Sequence, residues 1–265
     1  MSAKRARPWW HRVDAEASSI DAIPDEIIDS ATREQRTELA GIWQERASSE
    51  LRVGASFGAL VSVLVETGAD ETVLEIATEA VRDELHHAQI AAALAARYRG
   101  DEVRWPGAQP APLPMFVPAG GELRAALLVT AMCCINETLA CPVLEAQMKL
   151  AKSPLAHAGY QSVLTDEIDH GRMGWAHLTS RYVSDDIRRE IAGWLPTLFE
   201  ARFRELFDPH PLPGAGCADH GIMERRERQA VIHAGLREVV LPGFRHIGID
   251  PSRGEAWMNE AFGAR

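Results

Sequence analysis

Asp83-Glu84-Leu85-His86-His87 and Asp166-Glu167-Ile168-Asp169-His170 are two copies of one short word, Asp-Glu-x-x-His. On an α-helix, residues three apart share a face one turn apart, so the Glu and His of each word can reach one metal ion or two adjacent ones. Each word is half a metal site. Two more carboxylates stand upstream at comparable distances, Glu50 at 34 residues before Glu84 and Glu137 at 30 before Glu167. One Glu from each of two helices, with a Glu-x-x-His from each of two others, is the ligand inventory of a two-metal carboxylate centre inside a four-helix bundle. A single Glu-x-x-His arises often by chance in charge-rich helices. The doubling, with an Asp before each Glu, gives the pattern its weight.

Outward from the words, apolar spacing predicts a helix over 32–66, where Leu39, Trp43, Phe57, Leu60 and Leu64 follow a helical period. Glu50 falls on that face, seven residues from both Trp43 and Phe57, whereas Glu45 neighbours Gly41, Ser49 and Arg52 on the polar side. A carboxylate in the middle of an apolar stripe is costly unless paired or metal-bound. Pairing with Arg46 or Arg52 is the competing explanation for Glu50.

Gly68-Ala69-Asp70 marks a turn and a helix start, and a second helix is predicted over 71–99, with Val73, Ala77, Ala80, Glu84, His87, Ala91, Leu94 and Tyr98 on one face. The other register, Asp83 with His86, shares its face with Glu79 and Arg97, which read as solvated. Prolines at 106, 110, 112, 114 and 118 then break the pattern. So long a connection suits a crossover from one end of the bundle to the other, making the second and third helices parallel.

The third helix, 122–151, puts Cys133, Glu137, Cys141 and Leu144 on one face, with Pro142 expected to kink it. Cys133 and Cys141, four residues either side of Glu137, are near enough to line a cavity, although packing is the more frequent use of such thiols. Ser153-Pro154 starts the fourth helix, which runs to 182 with Tyr160, Val163, Glu167, His170, Gly171 and Gly174 inward. The small residues would either leave space beside the metals or allow close helix packing. Tyr160 and Tyr98, on the metal-facing sides of their helices, are candidates for an electron relay or for core packing.

Residues 1–31 read as an amino-terminal arm, with Pro24-Asp25-Glu26 able to start a short helical turn. Residues 32–182 form the bundle. Residues 183–265 add helices over 185–207 and 221–240, the latter ending at Leu241-Pro242-Gly243, and a final short helix, all packed on the same domain. His220, His233 and His246 are not in ligand spacing. The fold class is therefore all-α, a four-helix bundle with one long crossover and additional C-terminal helices.

A net charge of −10 argues against a nucleic-acid surface. No run of 18 uninterrupted apolar residues predicts a membrane span. The four cysteines lack zinc-type pairing and suit free thiols in a reducing cytoplasm. Four carboxylates offer four negative charges to two divalent cations, and hard oxygen with imidazole suits iron or manganese.

The set Glu50, Asp83-Glu84-x-x-His87, Glu137 and Asp166-Glu167-x-x-His170 resembles the ferritin-like di-iron carboxylate superfamily, which includes ferritins, rubrerythrins, ribonucleotide reductase small subunits, acyl-carrier-protein desaturases, multicomponent monooxygenases and arylamine N-oxygenases. The resemblance covers residues 32–182, and the doubled Asp leans toward the oxidase and oxygenase branches. It implies that Glu50 and His87 hold one iron, Glu137 and His170 the other, with Glu84 and Glu167 bridging. Asp83 and Asp166 look like the partners that orient the histidine of the opposite word. The N-oxygenases carry an extra His one turn before the second motif Glu, where this chain has Val163.

What the resemblance implies is an O2-dependent oxidation or oxygenation of a small organic substrate at two Fe ions, or an Mn/Fe pair, with electrons from a separate donor protein; a homodimer is one assembly it allows. A ferroxidase or iron-storage protein, and a binding protein with a vestigial site, are the competing classes.

Overall fold

The computed structural model describes residues 24–110, 116, 118–207 and 217–263, and among them every regular element is helical. The arm upstream of residue 24 lies outside the described residues. Helix α1 (Glu26–Ser30) starts at Asp25, whose carboxylate accepts from the amides of Ile27 and Ile28. The other oxygen of this buried Asp accepts from Ser153 Oγ at 2.7 Å and from the Leu155 amide at 3.1 Å. One side chain thus caps α1 and pins it to the start of the fourth long helix.

Helix α2 (Arg33–Glu66) opens with a Thr32/Gln35 capping box, which satisfies two of the amides a helix start leaves bare. Asp70 caps α3 (Glu71–Arg99), which stops at Gly100 in the left-handed conformation that glycine takes without strain. The third long run comprises α4 (Gly121–Val129), a wider π-helical stretch Thr130–Glu137, and α5 (Thr138–Leu150). Ser153 caps α6 (Pro154–Thr179), with Pro154 in the first turn, where its missing N–H has no helical partner to lose. These limits agree with the periodicity to within a turn. Helix α5 runs through Pro142, and the departure from α geometry lies just before it, in the π stretch.

Neighbouring residues fix the directions. His87 meets Asp166, His170 meets Asp83, and Leu94 lies against Gly159, so α3 and α6 are antiparallel. Gly171 lies against Thr138 and Gly174 against Cys133, so α6 is antiparallel to the third run as well. Helix α3 and the third run are therefore parallel, as the long proline-rich connection requires. That connection follows α2: Gln44 donates to the Arg104 carbonyl and Arg52 to Gln109.

Helix α7 (Asp185–Phe203) is shorter than expected and tightens into a 3-10 turn at Arg204–Leu206. The proline-glycine loop 208–216 lies outside the described residues. After a 3-10 turn at Cys217–His220, α8 (Arg225–Gly235) begins four residues later than predicted. It does not end at Leu241-Pro242-Gly243. A second π stretch, Leu236–Val240, leads into α9 (Leu241–His246), where Pro242 sits in the first turn and is tolerated for the same reason as Pro154. The last helix is α10 (Ser252–Gly263).

The apolar core is divided. One cluster takes Trp43, Leu94, Tyr98 and Tyr160; the other takes Phe57, Leu64, Ala77, Cys133 and Leu178, roofed by Phe199, Leu236 and Phe244. Along α2, α3 and α6 alike, the two clusters flank positions 50, 84–87 and 167–170, so a polar layer crosses the bundle between two greasy ones. By length and composition, Arg33–Glu66 and Gly121–Leu150 are apolar enough to cross a membrane; here they are bundle helices that carry Glu50 and Glu137.

Candidate metal centre

Glu84 and His87 leave α3 on the side facing α6, and Glu167 and His170 leave α6 facing back, because each word is one turn long and the helices run antiparallel. Glu84, His87, Glu137, Glu167 and His170 are all buried, and the Glu50 side chain is 13% exposed. Ligand atoms of Glu50, Glu84 and His87 lie within 4.8 Å of one another, and so do those of Glu84, Glu167 and His170. Glu84 belongs to both sets. Gly54 makes room for it, since a Cβ there would stand 3.1 Å from Glu84 Cβ.

Both imidazoles turn the same way. His87 Nδ1 faces Glu84 at 3.4 Å and Glu167 at 3.6 Å, and His170 Nδ1 faces Glu167 at 3.1 Å and Glu84 at 3.5 Å. Their Nε2 atoms point outward to the Asp of the opposite word, His87 to Asp166 at 3.2 Å and His170 to Asp83 at 3.5 Å. The His87 contact is a hydrogen bond and the His170 contact a longer approach; an Nε2–H donated to a carboxylate leaves the Nδ1 lone pair free for a cation.

Glu137 is beside these sets but in neither of the two tight ones. It interacts with Glu167 and Glu84 closely enough that burial first, and then their charges, hold its pKa well above the usual carboxylate range. Burial pulls the His87 pKa down, but bonding to Asp166 and Glu84 and the charge of Glu167 reverse this and leave it raised. The same balance, with Asp83, Glu167 and Glu84 as the partners, pushes His170 up to about 12. Burial opposes ionisation of Asp166, yet His87 holds its pKa below the usual value. Protons on the imidazoles stand where cations would balance the carboxylates.

Three atoms of the inner layer, Glu84 Oε1, Glu84 Oε2 and His87 Nδ1, are buried without a well-formed hydrogen bond, the imidazole nitrogens that face Glu84 standing 3.4 and 3.5 Å away. Orphaned acceptors of this kind are expensive in a protein interior, and a bound metal ion is the partner that would satisfy all three. The donor set of oxygen and imidazole fits iron or manganese.

Of the two arginines considered for Glu50, Arg46 is the one that reaches it, Nε to Oε1 at 3.1 Å; Arg52 pairs with Glu45 at 2.8 Å. Tyr160 stands in the wall of the adjoining cavity, its hydroxyl donating to the His220 carbonyl at 3.4 Å. Tyr98 lies behind it, hydrogen-bonded to His220 Nδ1 at 2.9 Å. Neither cysteine lines the cavity. Cys133 packs on Gly174, and the Cys141 thiol donates to the Glu137 carbonyl at 3.3 Å. The glycines of α6 serve close packing, because Cβ atoms there would meet Cys133 at 2.4 Å and Thr138 at 3.3 Å.

A cavity of about 590 Å³ opens from the carboxylates outward, walled by α2, α5, the end of α7 and α8. Periodicity did not single out its polar wall residues Asn136, Gln147, Arg202 and Arg228. They come from helices whose order in sequence says nothing of which pair will meet; only the Asn beside Glu137 carried a local signal. Comparison with protein-family models, with curated proteins and with solved structures finds no match to this chain.

Proposed function

We propose that this protein is a ferritin-like di-metal oxidase or oxygenase that uses O2 to oxidise a small organic substrate, with electrons from a separate donor protein. The observation that carries the reading is the crossed, twofold layer of Glu84, His87, Glu167 and His170, with its orphaned buried atoms, at the floor of a substrate-sized cavity. Pockets of about 300–1,000 Å³ are the usual size for small ligands. The parallel pairing of α3 with the third run, across a long connection, supports the ferritin-like topology.

Glu50, His87 and Glu84 would hold one ion, and His170, Glu167 and Glu84 the other, with Glu137 alongside the second. Two iron ions, or manganese with iron, would supply the binding and reduction of O2. The chain's own residues do the rest. Asp166 and Asp83 orient the histidines, Arg46 steadies Glu50, and the apolar clusters close the layer on either side, leaving the cavity as its approach. A cavity leading to the carboxylates favours an organic substrate over iron storage, which needs no such chamber.

The test is metal content on protein expressed with iron, followed by anaerobic reduction and mixing with O2 in a stopped-flow spectrometer. About two irons per chain and a transient visible absorption are expected. Many irons per chain would replace this reading with storage, and none would remove it.

A further inference from the structure

The cavity has poles of opposite charge. At its floor stand Glu84, Glu137 and Glu167; toward its mouth stand Arg202 and Arg228, both solvent-exposed, with Arg46 between. The other guanidiniums of the wall are engaged, Arg46 with Glu50 and Gln147, and Arg52 with Glu45 and Gln109. Arg228 differs. Its guanidinium makes no ion pair or hydrogen bond among the described residues. The charges nearest to it are those of Arg202 and Arg46, and its pKa is lowered first by desolvation against the wall and then by these two. Guanidiniums that converge on one space, Arg228 among them with no carboxylate bonded to its own side chain, favour an anion that enters it.

Resting on the di-metal reading above, we propose that the substrate is an amphiphile with an anionic head, a carboxylate or phosphate, held by Arg228 beside Arg202 at the mouth of the cavity. Its apolar body lies along Leu139, Val143, Phe203 and Ile232 and brings the far end to the carboxylate floor. The planar guanidinium fork matches both head groups and can bond either bidentately. The direction of entry is set at the mouth, where the guanidiniums hold the anionic head. Oxidation then falls on the end of the molecule remote from the head.

The experiment is calorimetric titration of the metal-loaded protein with octanoate, octyl phosphate, octylamine and 1-octanol, on wild type and on Arg228→Gln and Arg202→Gln, with metal content measured on every sample. The two anions are expected to bind, the amine and alcohol far more weakly, and Arg228→Gln is expected to weaken the anions about 10- to 100-fold with metal content unchanged. If the anions bind Arg228→Gln as they bind wild type, they are held elsewhere, on the metals themselves included, and the proposal falls while the di-metal reading stands. Equal binding of anion and amine overturns it as well. Should a sample hold no metal, the function proposed above fails on that count alone, and the discrimination between octanoate and octylamine by wild type and Arg228→Gln still decides the anion seat. Because Arg228 lines the cavity and belongs to neither apolar cluster, its substitution leaves the core untouched; Arg202→Gln supplies a second reading of the same cluster.

Discussion

The Nε2 of His87 lies 3.2 Å from Asp166 Oδ2, and the Nε2 of His170 lies 3.5 Å from Asp83 Oδ2, so each metal-facing imidazole is steered by the helix that does not carry it. Neither Asp reaches the inner layer. The effect of Asp166 is on the tautomer, because a carboxylate that accepts Nε2–H keeps the proton off Nδ1, where a cation would bind, and Asp83 stands in the same place at longer range. Asp166→Asn keeps the shape but removes the charge, and its amide can present N–H instead of an acceptor. We expect metal affinity to fall about 10- to 100-fold, read by competition with a chelator, while the far-UV circular dichroism stays that of wild type. Unchanged affinity would mean that His87 is oriented by packing alone. The pairing is what the family resemblance implied for the Asp before each motif Glu; what could not be read was that Glu137 would lie outside both tight ligand sets.

The π stretch Thr130–Glu137 explains that displacement. A uniform α period puts Cys133, Glu137 and Cys141 on one face, but the wider turns separate Cys133 from the other two. Cys133 turns onto Gly174, Glu137 enters the polar layer, and the Cys141 thiol bonds back to the Glu137 carbonyl. Such turns are rare and are found mostly at functional sites, and nothing local in Thr-Ala-Met-Cys-Cys-Ile-Asn-Glu announces one. It lies where α6 comes closest: at Gly174 a Cβ would stand 2.4 Å from Cys133 Cβ and 3.2 Å from the Cys134 backbone nitrogen. Gly174→Ala should therefore push the two elements apart and cost about 1–3 kcal/mol in urea unfolding, with some loss of bound metal as Glu137 moves. Gly193→Ala in α7 is the control. Its nearest foreign atom is the end of Arg253 at 3.6 Å, so the helix should gain about 0.5–1 kcal/mol. Equal behaviour of the two variants would show that the close approach does not set the π geometry.

At the scale of the whole molecule, the four long helices and the parallel pairing across the proline-rich connection follow from period and spacing, which are local properties. The cavity does not, because Arg46, Arg202 and Arg228 come from three helices whose packing no local pattern encodes. The buried polar layer is also a whole-molecule property, and it ties folding to pH. His87, His170 and Glu137 all have pKa values raised by the fold, His170 to about 12, so the metal-free folded chain binds more protons than the unfolded chain. For the histidines, that stabilisation is whole below their unfolded value of about 6.5 and is lost as pH rises through the folded values. For Glu137 the loss begins lower, above its unfolded value of about 4.3. His177 and His220, whose values burial depresses, act on the acid side below about 6.5 and do not disturb the window from pH 7 to 8.5. Each imidazole proton kept through that window costs the metal-free fold about 1.4 kcal/mol per pH unit, or about 3 °C in Tm for a chain of this size. A bound ion takes the place of these protons, so the loaded protein should show a flatter profile. Differential scanning calorimetry of metal-free and metal-loaded protein should find a Tm gap that widens from pH 7 to 8.5; a gap that stays constant or narrows would place the metals away from His87 and His170.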